Sequence, residues 1–144
     1  MNILVVNGPN LNFLGKRNIK IYGDETLDEL MVWLETSAEG KSHSFKFYQS
    51  NHEGVIIDII QDESLWADGI IINPGALGHY SYAIRDALDS VSIPSIEVHI
   101  SNIKKRENFR KKSVLKGVCI GQFYGKGKLG YLKALKKLIG YKSI

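Results

Sequence analysis

The feature that most constrains the fold is an alternation between short apolar runs and longer amphipathic stretches. Ile3-Leu4-Val5-Val6 is wholly apolar and ends in Asn7-Gly8-Pro9-Asn10. This pattern is typical of a strand that is buried on both faces and stopped by turn residues. Similar runs predict four further strands, at 45–48, 69–72, 95–100 and 117–120.

The stretches between these runs have helical spacing. Thr26 and Glu29 have the spacing of a capping box and open a predicted helix over 27–34. Ser50 and Glu53 repeat that signal before the apolar residues 55–60, and further helices are predicted at 82–88 and 129–139. Strands that alternate with helices imply right-handed crossovers and a parallel sheet. We therefore predict one α/β domain over 1–144, a flavodoxin-like three-layer sandwich with a five-stranded parallel sheet.

Composition narrows the class of protein. The 144 residues are 44% hydrophobic and 24% charged, which is ordinary for a globular chain. No apolar run approaches the roughly 20 residues of a membrane helix, and the N-terminus does not resemble a signal peptide. A lone Cys119 excludes an internal disulfide and a cysteine-based zinc cluster. We expect a soluble, cytoplasmic protein with no membrane partner.

Charge is unevenly spread along the chain. Residues 104–144 carry thirteen Lys or Arg and one acidic residue, whereas residues 1–103 are net acidic. Nucleic-acid contact is one explanation, and a solvated face against the acidic part of a second copy is the other. Phe109 is the only aromatic residue within 104–116, so a platform for stacking bases is poorly supported. We predict no nucleic-acid partner and a surface that attracts a small anion.

Polar residues follow each of the first four predicted strands, at 7–12, 50–53, 73–75 and 99–102. Ligands of open parallel sheets bind outside the carboxyl ends of the strands, so a site is predicted there. Glu97 lies two positions before His99 on the same strand face and could orient its ring for acid or base work. Arg106 and Arg110 would share one helix face and could clamp an anion. A purely structural role for His99, and solvated surface positions for the two arginines, remain alternatives.

The segment between the first strand and the first helix is longer than usual for such a connection, which favours a binding loop or lid. It places Tyr22 among the cations of 16–20, including Arg17. Nearby cations favour the phenolate, which would make Tyr22 usable as a base, but a structural tyrosine remains an alternative. The four histidines have no metal-ligand spacing, so a metal site is unsupported. We also expect no cofactor.

These motifs together resemble the type II 3-dehydroquinate dehydratases. The resemblance covers about residues 2–135, in order, and rests on Asn7-Gly8-Pro9-Asn10-Leu11-Asn12, Arg17, Tyr22-Gly23, Gln49-Ser50-Asn51-His52-Glu53-Gly54, Ile72-Asn73-Pro74-Gly75-Ala76, His79, Ile84-Arg85-Asp86-Ala87, Ile96-Glu97-Val98-His99-Ile100-Ser101-Asn102-Ile103, Arg106-Glu107 and Phe109-Arg110. Two segments depart from the family pattern: Leu77, Gly78 and Tyr80 replace an aromatic residue and threonines, and 121–129 lacks the usual glycine-rich ending.

The resemblance implies reversible anti elimination of water from 3-dehydroquinate through an enolate, in the shikimate pathway, without metal or Schiff base. Tyr22 would be the base, Arg17 would stabilise negative charge, and His99 would be the acid that Glu97 orients. The resemblance further implies that Asn10 holds a water, that substrate hydroxyls are held by Asn73, His79 and Arg110, and that the substrate carboxylate is bound by Ile100 and Ser101. It also implies that Arg106 closes the lid and that Asp86 reaches into a neighbouring subunit.

The resemblance also implies trimers that assemble into a homododecamer. Two rival functions on the same fold fit the residues less well. A receiver domain would need a phosphorylatable aspartate and an acidic cluster at strand ends where this chain has Asn7 and Asn73. A flavin-binding module would need a Ser/Thr-rich phosphate loop after the first strand, and 7–12 offers none.

Overall fold

Five parallel strands form a single sheet in a computed structural model that describes residues 1–142. The strands are β1 (Asn2–Asn7), β2 (Ser44–Gln49), β3 (Gly69–Asn73), β4 (Ser95–His99) and β5 (Gly121–Tyr124). Their order across the sheet is β2-β1-β3-β4-β5. The predicted α/β fold with a five-stranded parallel sheet is confirmed.

Helices cover both faces of this sheet. They are α1 (Ile19–Tyr22), α2 (Leu27–Thr36), α3 (Glu53–Asp62), α4 (Tyr82–Val91) and α5 (Leu129–Lys142). Helices α2 and α5 pack on one face, and α3 and α4 pack on the other. Within residues 1–142, no helix has the length and apolar character needed to cross a bilayer.

The apolar run of β1 is explained by these two layers. Ile3 and Val5 pack towards α2 and α5, whereas Leu4 and Val6 pack towards α3 and α4. Successive strand side chains point to opposite faces, so residues 3–6 bury apolar side chains against both helical layers.

The order of the strands determines where polar side chains meet. The chain passes from β1 to β2 on one side and then returns to place β3 on the other side of β1. Asn7 at the end of β1 is consequently the register partner of Asn73 at the end of β3. This change of direction is where a parallel sheet opens a crevice for a ligand.

The predicted position of the fifth strand is wrong. Residues 117–120 form a turn in which the N–H groups of Val118 and Cys119 both donate to the carbonyl of Leu115. Pairing with β4 begins only when the Ile120 N–H donates to Ser95, and β5 starts one residue later. Val118 and Cys119 are apolar because they pack against the core beneath α3 and α4.

One of the two predicted capping boxes has its helix-capping bond. The Thr26 hydroxyl accepts from the Glu29 N–H at 3.2 Å at the start of α2. The second is wrong, because α3 begins after His52 and the Ser50 hydroxyl accepts from the His52 N–H instead. The Glu53 carboxylate accepts instead from the hydroxyl of Ser81, the residue before α4, and this bond links α3 to α4.

Candidate active site

A cavity of about 100 Å³ opens at the carboxyl edge of the sheet. Ten of the twelve candidate residues line it: Asn10, Arg17, Tyr22, Asn73, His79, His99, Ile100, Ser101, Arg106 and Arg110. Glu97 lies behind His99, and Asp86 lies outside on the exposed side of α4. A larger neighbouring cavity of about 530 Å³ shares Tyr22 and Arg106 with this site.

The long segment after β1 brings Arg17 and Tyr22 over the strand ends. It forms a 3₁₀ turn, Leu11–Phe13, and then the short helix α1, which ends in Tyr22. Buried Leu11 and Leu14 anchor the segment to the core. Asn10 starts the turn in a left-handed conformation with φ of 71°, and its N–H donates to the Asn51 side chain at 3.0 Å.

Two arginines hold the Tyr22 hydroxyl. Arg106 Nη1 donates to it at 2.8 Å, and Arg17 Nη2 donates at 3.2 Å. The Arg17 guanidinium also lies over the Tyr22 ring, 4.2 Å from its centroid. Two guanidinium groups therefore lie within hydrogen-bond distance of one phenol oxygen.

His99 lies opposite, at the end of β4, and is 5% exposed. Its Nε2 contacts Glu97 Oε1 at 2.6 Å, so the contact expected from their two-residue spacing is present. An ionised carboxylate only accepts, and Nε2 therefore carries a proton. The carboxylate therefore holds the imidazole ring in one orientation and leaves Nδ1 as the other ring nitrogen.

His79 lies beside His99, with ring centroids 5.9 Å apart. Its Nδ1 contacts the Lys112 carbonyl at 2.7 Å, and this nitrogen must donate because a carbonyl only accepts. Burial lowers the pKa of His79, and the hydrogen bond to the Lys112 carbonyl opposes this shift only in part. A neutral His79 with a protonated Nδ1 keeps Nε2 as an acceptor for a hydroxyl.

Asn73 is 2% exposed and is held by a buried network that the sequence did not reveal. Its Nδ2 donates to the Tyr131 hydroxyl at 3.0 Å, and that hydroxyl donates to Asn7 Oδ1 at 2.6 Å. Asn73 Oδ1 accepts from the Gly75 N–H at 3.2 Å. These bonds fix the rotation of the amide at the floor of the cavity.

The prediction that Arg106 and Arg110 share a helix is wrong. Arg106 follows one 3₁₀ turn, Ile103–Lys105, and Arg110 lies in another, Asn108–Lys111. Both arginines still line the cavity, and Glu107 contacts Arg110 Nε at 2.7 Å and Arg106 Nε at 3.9 Å. The backbone N–H of Glu107 and the Arg110 guanidinium lower the pKa of this carboxyl. Its exposed carboxylate bridges the two guanidinium groups.

The backbone after His99 is fixed by the loop that follows β5. The carbonyls of Ile100 and Ser101 accept from the N–H groups of Gly127 and Gly125. Arg106 Nη1 also lies 3.4 Å from Ser101 Oγ. A hydroxyl and a guanidinium therefore meet on one side of the cavity, an arrangement that suits a carboxylate.

The cavity as a whole favours an anionic, hydroxylated ligand. Three guanidinium groups line it, and amides, imidazoles and a hydroxyl supply directional hydrogen bonds. Across residues 1–142, no three His, Cys, Asp or Glu side chains are grouped to hold a metal ion. The chemistry available from these side chains is proton transfer and charge stabilisation.

Sequence reasoning missed three side chains that support the site. They are Tyr131 on α5, Ser113 after the second of these 3₁₀ turns, and Gln122 on β5. Tyr131 lies in a predicted helix, where an aromatic residue indicates only packing. Gln122 was hidden because the predicted fifth strand ended two residues before it.

The chain matches the family model described as Dehydroquinase class II over residues 1–139. It is 54% identical to the 3-dehydroquinate dehydratase of Thermotoga neapolitana over 94% of this chain and 92% of that one. It is 55% identical to that of Bacillus cereus over 95% and 94% of the two chains. The solved type II dehydroquinase of Butyrivibrio crossotus superposes with a TM-score of 0.93 and 55% identity, covering 96% of this chain and 97% of that one.

Proposed function

Because the chain belongs to the class II dehydroquinase family, we propose that it is a hydro-lyase of the shikimate pathway. It removes water from 3-dehydroquinate by reversible anti elimination and gives 3-dehydroshikimate. The observation that carries this proposal is the pairing, in one cavity, of a tyrosine held by two arginines with a histidine held by a buried carboxylate.

Tyr22 is the base in this proposal. Its phenolate oxygen takes the proton from the carbon next to the substrate ketone, and the electron pair left behind forms an enolate. The bonds from Arg17 and Arg106 support this role because they stabilise negative charge on that oxygen. A water held by Asn10 stabilises the enolate oxygen as charge develops there.

His99 is the acid. It gives a proton to the hydroxyl two carbons from the ketone, the C–O bond breaks, and the enolate collapses to the conjugated ketone with loss of one water. Glu97 at 2.6 Å supports this role because it orients the ring and stabilises its protonated form. The net change is one substrate molecule to one product and one water. To restore the site, solvent takes the proton from Tyr22 and returns a proton to His99.

The remaining cavity residues bind the substrate. Ser101, the backbone at Ile100 and Arg106 bind the carboxylate, and Arg106 closes the lid because it also donates to Tyr22 on the loop. Asn73, His79 and Arg110 bind hydroxyl groups. The buried, doubly held amide of Asn73 supports this assignment because a fixed amide discriminates between hydroxyl positions.

We also propose that the chain forms trimers within a dodecamer and that Asp86 completes the site of a neighbouring subunit. Asp86 is exposed on α4 and lies outside the cavity of its own chain, which suits a residue that acts on a second copy. Light scattering measures the assembly. When Asp86→Ala subunits are mixed with Tyr22→Phe subunits, we expect dehydratase activity to exceed that of either variant alone, because a mixed assembly contains sites with both side chains intact.

The deciding assay is near-ultraviolet absorbance after 3-dehydroquinate is added to metal-stripped protein. We expect the absorbance of the conjugated enone to rise, and to rise equally after chelator and borohydride treatment. His99→Ala, with wild-type circular dichroism, should lower this rate by about 10²–10⁴-fold. No rise from folded wild-type protein would refute the proposed reaction.

A further inference from the structure

The Glu97 carboxylate is buried more completely than its proposed role in orienting His99 requires. It is 0% exposed and lies beneath His99, away from the cavity that receives the substrate. A buried carboxylate is stable only if donors replace the water that it has lost. The identity of those donors therefore decides how rigidly it holds His99.

Two neutral side chains supply those donors on the far oxygen. Ser113 Oγ donates to Glu97 Oε2 at 2.6 Å, and Gln122 Nε2 donates to the same oxygen at 2.9 Å. The near oxygen, Oε1, is left for His99 at 2.6 Å. With Oε2 tied to two donors, rotation of the carboxylate is restricted and Oε1 points at the ring.

Gln122 reaches Glu97 because of the sheet register. The two residues are partners across the parallel pair β4 and β5. Side chains at register positions of neighbouring strands point to the same face, so the amide lies beside the carboxylate. The bond joins the catalytic strand to the edge of the sheet.

Ser113 lies in a segment that is itself clamped. Arg85 Nη1 on α4 donates to the carbonyls of Val114 and Lys116, each at 2.8 Å, and the Val114 N–H donates to Gly78 at 2.9 Å. Lys112, the residue before Ser113, provides the carbonyl that accepts from His79 Nδ1. One segment thus orients both imidazoles of the site.

The near side of the carboxylate is closed by backbone. A Cβ added to Gly78 would lie 3.1 Å from Glu97 Oε1 and 3.5 Å from His99 Cε1. Glu97 is therefore confined by close packing on one side and by two hydrogen-bond donors on the other.

We propose that Ser113 and Gln122 are positioning residues that fix the Glu97 carboxylate and, through it, the ring of His99 for proton delivery. This inference rests on the proposed function. Neither residue lines the substrate cavity, so both act through Glu97. Their loss lowers turnover and leaves substrate binding almost unchanged.

The test compares Gln122→Met, Ser113→Ala and the double variant with wild type. Methionine matches glutamine in length and removes the amide donor. Gln61→Met, on the exposed side of α3, is the matched control. We expect kcat to fall about tenfold in each single variant and about a hundredfold in the double variant, with KM within about twofold, because each change removes a hydrogen bond to a charged group.

Proton NMR supplies a second measurement that does not depend on turnover. A proton shared between an imidazole and a carboxylate at 2.6 Å gives a strongly downfield resonance, here from His99 and Glu97. We expect this resonance to shift in Gln122→Met and in Ser113→Ala, and to stay in place in Gln61→Met. If wild-type protein has no dehydratase activity, the proposed function fails and the resonance alone decides the positioning role.

Circular dichroism and urea unfolding establish that each variant is folded. If one single variant does not fold, the other decides the matter by the same two measurements. A folded double variant with kcat within twofold of wild type and an unmoved resonance would overturn the proposal. A fall in kcat that Gln61→Met reproduces would overturn it as well.

Discussion

Tyr131→Phe removes one oxygen atom from the centre of a buried polar network. Tyr131 is 0% exposed, and its hydroxyl joins Asn7 at 2.6 Å to Asn73 at 3.0 Å. Burial raises the pKa of Tyr131 well above its usual value, so the hydroxyl stays protonated and can donate and accept at once. Phenylalanine keeps the ring and removes both bonds.

The expected cost follows from what the substitution leaves behind. Asn7 and Asn73 are 1% and 2% exposed, so little of either amide is open to a water that could replace the hydroxyl. A buried donor or acceptor that loses its partner costs about 1–3 kcal/mol. Two such groups give a loss of about 2–6 kcal/mol in the free energy of unfolding, and for a chain of this size about 8–16 °C in Tm at the middle of that range.

Urea unfolding at a fixed protein concentration measures this loss, and Tyr141→Phe is the matched control. Tyr141 lies on the same helix, α5, but is 50% exposed, so its variant should stay within about 0.5 kcal/mol of wild type. In Tyr131→Phe the freed amide of Asn73 should also raise KM. A loss no greater than that of the control would refute the argument that the network is buried and fully paired.

Three shorter predictions concern the base, the pH dependence and the loop after β5. Tyr22→Phe should lower kcat by about 10²–10⁴-fold and leave the substrate Kd from equilibrium binding almost unchanged; retention of most activity would remove Tyr22 as the base. The hydrogen bond from Lys46 at 2.7 Å lowers the pKa of Glu63 below 4.5. Its contribution is present above pH 4.5 and lost as the pH falls through the folded value, so Glu63→Gln should cost more stability in urea at pH 7 than at pH 3. Gly125→Ala should destabilise the protein more than Gly127→Ala. Both glycines have positive φ, but a Cβ at 125 would lie 2.9 Å from Asn102 Cβ, whereas nothing lies within 4 Å of a Cβ at 127. Equal urea midpoints would contradict this prediction.

The layout of the sheet followed from the sequence because burial on two faces leaves a strong pattern. The four central residues of β1, 3–6, face two helical layers and are all apolar, and the strand ends at Asn7 where the polar turn begins. The carboxyl ends of parallel strands lie at one edge, so the residues after each run were predicted to meet. His99 and Glu97 were linked by strand periodicity alone, which holds wherever a strand is regular.

Arg106 and Arg110 show where that reasoning ended. A spacing of four favours one helix face only if the segment is helical, and the segment here breaks into two 3₁₀ turns around Glu107. Tertiary contacts hold this path, since His79 Nδ1, 33 residues away in the chain, donates to the carbonyl of Lys112. Such contacts depend on distant parts of the chain and leave no local periodicity.

Gln122 shows why the support of a site is harder to predict than the site itself. Strand β5 lies at the edge of the sheet and contains Gly121 and Gln122, so its hydrophobic signal is weaker than that of Val118-Cys119-Ile120 just before it, although both segments are only partly buried. An error of four residues in its start moved Gln122 out of the sheet and out of register with Glu97. A residue that acts through a partner is found only when that register is known, whereas Tyr22 and His99 carry their chemistry in the side chain. The prediction of a supporting residue is therefore limited by the accuracy of strand boundaries, and edge strands limit it most.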